Sequence, residues 1–193
     1  MKKIVGIVIG LMLILAVMSG CGKSADTDSL KTIGDLVKLE SMGYTYDSKT
    51  FVTVFKNKGD YFRAEAKMSA DVSEVVDALD WEDPNHDKKL FEAVSKLEIT
   101  KLINLSEKIL SQEELDKLAG KTGADLLNEG WRDLGFYPDE NSIYMEYDFN
   151  QYSVTFDKAI EYSDGDDMEE VLKPLTVKSI KHIGISYNAA DVD

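Results

Sequence analysis

Lys31-Thr32-Ile33-Gly34-Asp35-Leu36-Val37 and Lys121-Thr122-Gly123-Ala124-Asp125-Leu126-Leu127 carry one pattern twice, 90 positions apart. A second match, Met42-Gly43-Tyr44 with Leu134-Gly135-Phe136, follows at an offset of 92, which implies a two-residue insertion. Thr32 and Thr122 suit helix N-caps. Asp35 and Asp125, three residues on, can return a hydrogen bond to the cap's own backbone N–H. Leu36 and Val37, or Leu126 and Leu127, then open an apolar stripe. Gly43 and Gly135 are expected at the left-handed position that ends a helix. Repeats of this kind signal a duplicated supersecondary unit.

After each copy the apolar period changes from helical to alternating. Phe51 to Lys56 alternates, Asn57-Lys58-Gly59-Asp60 supplies turn chemistry, and Tyr61 to Met68 returns. On the return strand Phe62, Ala64, Ala66 and Met68 share one face, with Arg63, Glu65 and Lys67 on the other. In the second copy Ile143, Met145, Tyr147 and Phe149 share a face, as do Tyr152, Val154 and Phe156 after a turn near Asn150. The first copy then inserts helical material: Asp71 to Leu79, with Val72, Val75, Val76 and Leu79 at helical spacing, and a further helix capped by Asp83 with Pro84 in its first turn. The second has only a short acidic stretch, Ser163 to Lys173. Strands at about Glu98–Leu105 and Leu175–Ser186 close the two units, and Ser111 with Glu114 marks an extra helix start.

This order predicts an α+β protein of two tandem helix-plus-antiparallel-hairpin units, residues 29–109 and 110–187. Some six strands would form a sheet with the helices packed on one face, and 188–193 would be a flexible tail. The element order and duplication resemble the β-lactamase inhibitory protein and the small outer-membrane assembly lipoproteins that share its helix-plus-sheet unit. The likeness is one of element order and duplication, without a diagnostic motif, so a function carried over from it is analogy.

The N-terminus has a separate reading. Lys2 and Lys3 precede a 14-residue apolar run, Ile4 to Val17, and then Met18-Ser19-Gly20-Cys21. Fourteen residues rise about 21 Å as a helix, short of a ~30 Å hydrocarbon core, so residues 1–20 read as a signal peptide. The segment ending at Cys21 resembles the lipobox of bacterial lipoproteins, with Met18 where that family usually has Leu. The resemblance implies lipidation of Cys21 and anchoring on the extracytoplasmic face of the cell membrane. Two or three acyl chains, at about 0.8 kcal/mol per buried methylene, make such an anchor effectively permanent. Cys21 is the only cysteine, so no intramolecular disulfide can form. Residues 22–28, GKSADTD, read as a short polar tether completing a lipidated segment 21–28.

The charge is lopsided. Without Lys2 and Lys3 the chain has 20 basic residues against 36 acidic ones, a net charge of −16. Such a surface repels phosphate backbones and anionic headgroups, which argues against nucleic acid and against a polybasic membrane contact.

Motifs for chemistry are sparse. No Gly-x-Ser-x-Gly elbow or Ser-x-x-Lys occurs. His86 and His182 are isolated and lack a Cys pair, so they read as structural and not as zinc ligands. The run Asp164-Gly165-Asp166-Asp167-Met168-Glu169-Glu170 lacks EF-hand spacing and reads as a solvated loop. No catalytic residue, cofactor or metal is therefore assigned. Aromatics are the remaining candidates. Phe51 and Phe55 oppose Val52 and Val54 on the first hairpin, and Tyr144 points away from Met145 and Tyr147 on the second. Trp81 and Trp131 are expected to complete the core at helix ends. The sequence thus predicts a non-enzymatic, lipid-anchored binding or scaffold module that engages a protein through a sheet face. Capture of a small molecule or cation is the alternative.

Overall fold

The computed structural model describes residues 25–163, 165–186 and 189, so the expected signal peptide and the lipidation site Cys21 lie outside the described residues. The chain is α+β and divides into two compact units between Ile103 and Asn104. The boundary expected after residue 109 thus moves earlier. Leu105 is fully buried, its carbonyl accepts from Asn150 Nδ2 at 3.3 Å, and the Leu110 N–H donates to the Tyr152 hydroxyl at 3.1 Å.

The first unit runs α1 (Ile33–Leu36), β1 (Glu40–Tyr46), β2 (Thr50–Asn57), β3 (Asp60–Lys67), α2 (Ala70–Asp77), α3 (His86–Val94) and β4 (Ile99–Asn104). Its sheet order is β1-β2-β3-β4. The β2–β3 turn is the expected two-residue one, with Lys58 and Gly59 both at positive φ, the backbone that a tight antiparallel hairpin requires. Phe51, Phe55, Phe62, Ala64, Ala66 and Met68 form the sheet side of a core whose helical side is Ile33, Leu36, Val76, Leu90 and Val94. Each large side chain so buried contributes about 1.5–3 kcal/mol.

The second unit runs α4 (Gln112–Asp116), α5 (Gly123–Asn128), β5 (Arg132–Asp139), β6 (Ser142–Tyr147), β7 (Asn150–Phe156), α6 (Met168–Leu172) and β8 (Val177–Ile185). Its sheet order is β5-β6-β7-β8. Ile143, Met145, Tyr152, Val154, Phe156 and Ile180 pack on Leu115, Leu126, Trp131 and Leu172.

Several expectations are corrected. Among the described residues eight strands form two four-stranded antiparallel sheets, not six strands in one. The extra strand in each unit is β1 or β5. Gly43 and Gly135 therefore end no helix; they sit where the pairing slips, between Ser41 and Gly43 and between Asp133 and Phe136. The glycine that does end α5 is Gly130, at φ 93°. Its N–H bonds Leu127 O, and the Trp131 N–H bonds Leu126 O, so two end carbonyls are satisfied and Trp131 is laid on Leu126. Helix α3 starts at His86, not after Asp83. Asp83 and Pro84 form the turn before it, with the Asp83 carboxylate accepting from Asn85 N–H at 2.8 Å. Phe149 lies in the β6–β7 turn at positive φ and off the strand face, and Val75 is exposed.

The duplication is written in the hydrogen bonds. Ile33 N–H donates to Leu97 O and Gly123 N–H to Leu175 O; Gly34 donates to Ser95 O and Ala124 to Lys173 O; Ile99 donates to Lys31 O and Val177 to Lys121 O. Single bridges Thr32–Glu98 and Thr122–Thr176 complete the match. On the helix-capping side the offset is 90, as in the sequence, and on the closing-strand side it is 78. The first unit therefore carries 12 additional residues between its capped helix and its closing strand. Both capping boxes form. Thr32 N–H reaches Asp35 Oδ2 at 2.7 Å, and Thr122 N–H reaches Asp125 Oδ2 at 2.8 Å.

Candidate functional site

The face of the second sheet turned away from its core carries a stacked aromatic pair, of which Phe136 is exposed and Tyr144 half-buried. Residues Ile143 and Met145 of β6 enter the core, so Ser142, Tyr144 and Glu146 point away from it. Phe136 on β5 is the cross-strand partner of Tyr144, hence on the same face, and the two rings stack with centroids 5.0 Å apart. Phe136 is 57% exposed. The register continues through Ser153 to Lys181, and the flanking row pairs Arg132, Glu146 and Gln151. Glu146 is buried with its charge met by the Arg132 guanidinium and the Ser186 hydroxyl. The Asp133 carboxylate accepts from Gly135 N–H at 2.6 Å and fixes the bulge that places Phe136.

That bulge decides the site. Tyr44, which the sequence match pairs with Phe136, lies opposite Thr53 on β2 and packs against the first core. A one-residue slip exchanges the two faces of a strand, so the matched aromatics end on opposite faces of their own sheets. One is structural, the other displayed. On the other side of β5, Tyr137 packs against the core and stacks on the exposed Tyr162 at 5.0 Å. Burial, with Asp133 beside it, raises the Tyr137 hydroxyl to about 12, so it stays protonated.

The remaining candidates fall as follows. Val52 and Val54 are both buried, and so is Arg63, which pairs with Glu65; no apolar sheet face is open there. Trp131 is buried as expected, but Trp81 is not: it is 54% exposed. The Trp81 ring stacks on His86 at 4.2 Å and lies parallel to Tyr46 at 6.1 Å. His86 itself is buried. Its Nδ1 lies 3.1 Å from Asp80 O, and its Nε2 has no partner. His182 meets Asn150 Oδ1 through Nε2 at 3.1 Å and touches the Tyr152 ring edge-on. Because Asn150 Nδ2 donates to Leu105 O and Asp148 O, Oδ1 is the acceptor and His182 Nε2 carries the proton. In the acidic run, Asp167 caps α6 by accepting from Glu169 N–H at 3.0 Å. Among the described residues no group of three His, Cys, Asp or Glu side chains is placed to hold a metal.

The sequence signals for Phe136 and Trp81 were weak. The bulge at Gly135 breaks the alternation that would have revealed β5, and Trp81 sits beside a turn whose packing is tertiary. No known protein family, curated protein or solved structure matches this chain.

Proposed function

We propose that the protein is a lipid-anchored, extracytoplasmic binding module of the bacterial envelope, tethered through Cys21, that engages a protein partner at the Phe136–Tyr144 face. One observation carries the reading: a large apolar ring more than half exposed, held by a bulge and a ring stack on a four-stranded sheet. A pre-set aromatic costs little side-chain entropy when it enters a partner's pocket, which is why such rings dominate interface energetics. The acidic surface adds selectivity, since it repels anionic lipid and leaves a protein surface as the partner. No nucleic acid is involved.

Two measurements test this. With Cys21→Ala the chain should leave the membrane fraction during cell fractionation; undiminished association would remove the anchor. A photo-crosslinking side chain placed at Phe136 should capture one discrete envelope protein, while the same group at Lys67 should not. Phe136→Ala should weaken that complex by about 2 kcal/mol, roughly thirtyfold, without lowering the melting temperature. Identical crosslinks from both positions would refute the face.

A further inference from the structure

We propose that the exposed Trp81 stack docks a cationic segment of a partner protein, holding an arginine or lysine side chain against the indole. The starting point is the comparison of the two units. They share the hydrogen bonds that join helix to closing strand, so the scaffold closes without the 12 residues that the first unit adds ahead of its closing strand. Most of them lie in the longer connection from β3 to α3, 18 residues against 11 between β7 and α6, which holds α2 and the turn that carries Trp81.

The added segment is one-signed. From Ser69 to Asp87 it contains Asp71, Glu74, Asp77, Asp80, Glu82, Asp83 and Asp87 and neither Lys nor Arg. Asp83 is engaged by Lys89, and Asp87 accepts from the Tyr44 hydroxyl at 2.6 Å. Asp71, Glu74, Asp77 and Glu82 form no ion pair among the described residues, while Asp80 feels the charge of Lys89; all five are exposed. Asp80 and Glu82 flank Trp81 directly, and Asp77 lies close enough to Tyr46 to help keep its hydroxyl protonated, behind burial.

The aromatic part is built and not incidental. Trp81 is braced on one side by His86, which is buried, held at Nδ1 by Asp80 O and left with an unmet Nε2. Tyr46 lies within 3° of parallel to it. A half-exposed indole flanked in sequence by exposed carboxylates is an environment in which a cation is attracted by both the ring and the neighbouring charge. Arginine suits it best, because its planar, weakly hydrated guanidinium stacks on an aromatic face while donating to carboxylates at its rim. Trp81 and Phe136 belong to different units, so either proposal can fail without the other.

The test uses the full-length chain in a non-ionic detergent, titrated calorimetrically at low salt with a hexa-arginine peptide and, in parallel, with spermine. Saturable hexa-arginine binding is expected. Trp81→Ala should weaken it at least tenfold, and Trp81→Phe should restore part of the loss. The triple variant Asp77→Asn, Asp80→Asn, Glu82→Gln, which keeps the indole, should also lose at least tenfold with an unchanged circular dichroism spectrum. Binding of hexa-arginine that Trp81→Ala leaves within twofold of the parent, or no saturable heat at all, would overturn the proposal. So would spermine binding as tightly per charge and equally insensitive to Trp81, since that describes diffuse counter-ion attraction alone.

Discussion

Gly123→Ala should destabilise the second unit strongly, although alanine is the better helix former. Gly123 opens α5, and its first turn is pressed on the chain leaving α6. The Gly123 N–H donates to Leu175 O at 2.8 Å and the Ala124 N–H to Lys173 O at 3.2 Å. An ideal Cβ on Gly123 would lie 2.7 Å from the carbonyl carbon of Leu172 and nearer still to its oxygen. Both partners are backbone, so no side chain can rotate aside. Relief requires the helix start and the α6–β8 connection to separate, weakening two hydrogen bonds of about 1 kcal/mol each and adding overpacking strain of about 1–3 kcal/mol. Alanine returns at most ~1 kcal/mol of helix propensity, and less at the first position. The net is about 3 kcal/mol, or a fall of roughly 6–12 °C in melting temperature for a chain of this size. Thermal and urea unfolding followed by far-ultraviolet circular dichroism would measure it. Gly34→Ala, whose Cβ would meet Ser95 O at 2.7 Å, should cost less. A Gly123→Ala melting temperature within 2 °C of the parent, or above it, would refute the close-approach argument, and with it the equivalence of the two helix–strand junctions.

Three further outcomes follow from the polar groups. Asp35 and Asp125 are held below the ordinary carboxylate range, first by the backbone N–H bonds of their capping boxes. Their stabilising contribution is present above the unfolded-state value of 3.8 and is lost as pH falls through the lower folded-state values. Asp125→Asn should therefore flatten the acid limb of a stability profile below pH 4, and Thr122→Ala should cost ~1 kcal/mol at neutral pH. His182 is shifted the other way: burial lowers it below 6.5, favouring the neutral ring that donates to Asn150. Its contribution is complete above 6.5 and fades as pH drops through the folded-state value, so nuclear magnetic resonance should place the His182 midpoint below 6.5. A midpoint above 6.5 would contradict the burial argument.

Local chemistry made much of this fold legible. The caps at Thr32, Ser111 and Thr122 depend on neighbours within four residues, as does the turn at Lys58-Gly59, and all of them form. The closing strands β4 and β8 fall within the spans expected for them, each rich in β-branched residues. β1 and β5 were hidden for a common reason. Each is an edge strand interrupted by a bulge, so a period of two never runs long enough to declare itself, and Gly43 and Gly135 imitate helix ends.

The sequence by itself determined the duplication, the α+β class and the lopsided charge, because each is a matter of residue type and short spacing. Only the tertiary structure decided that eight strands make two sheets, and which aromatics are displayed. Tyr44 and Phe136 are matched in sequence yet face opposite ways, and Trp81 and Trp131 look alike on paper while one is exposed and one buried. Burial depends on strand register and on what packs across from a side chain, and neither is encoded within the few residues on either side of it.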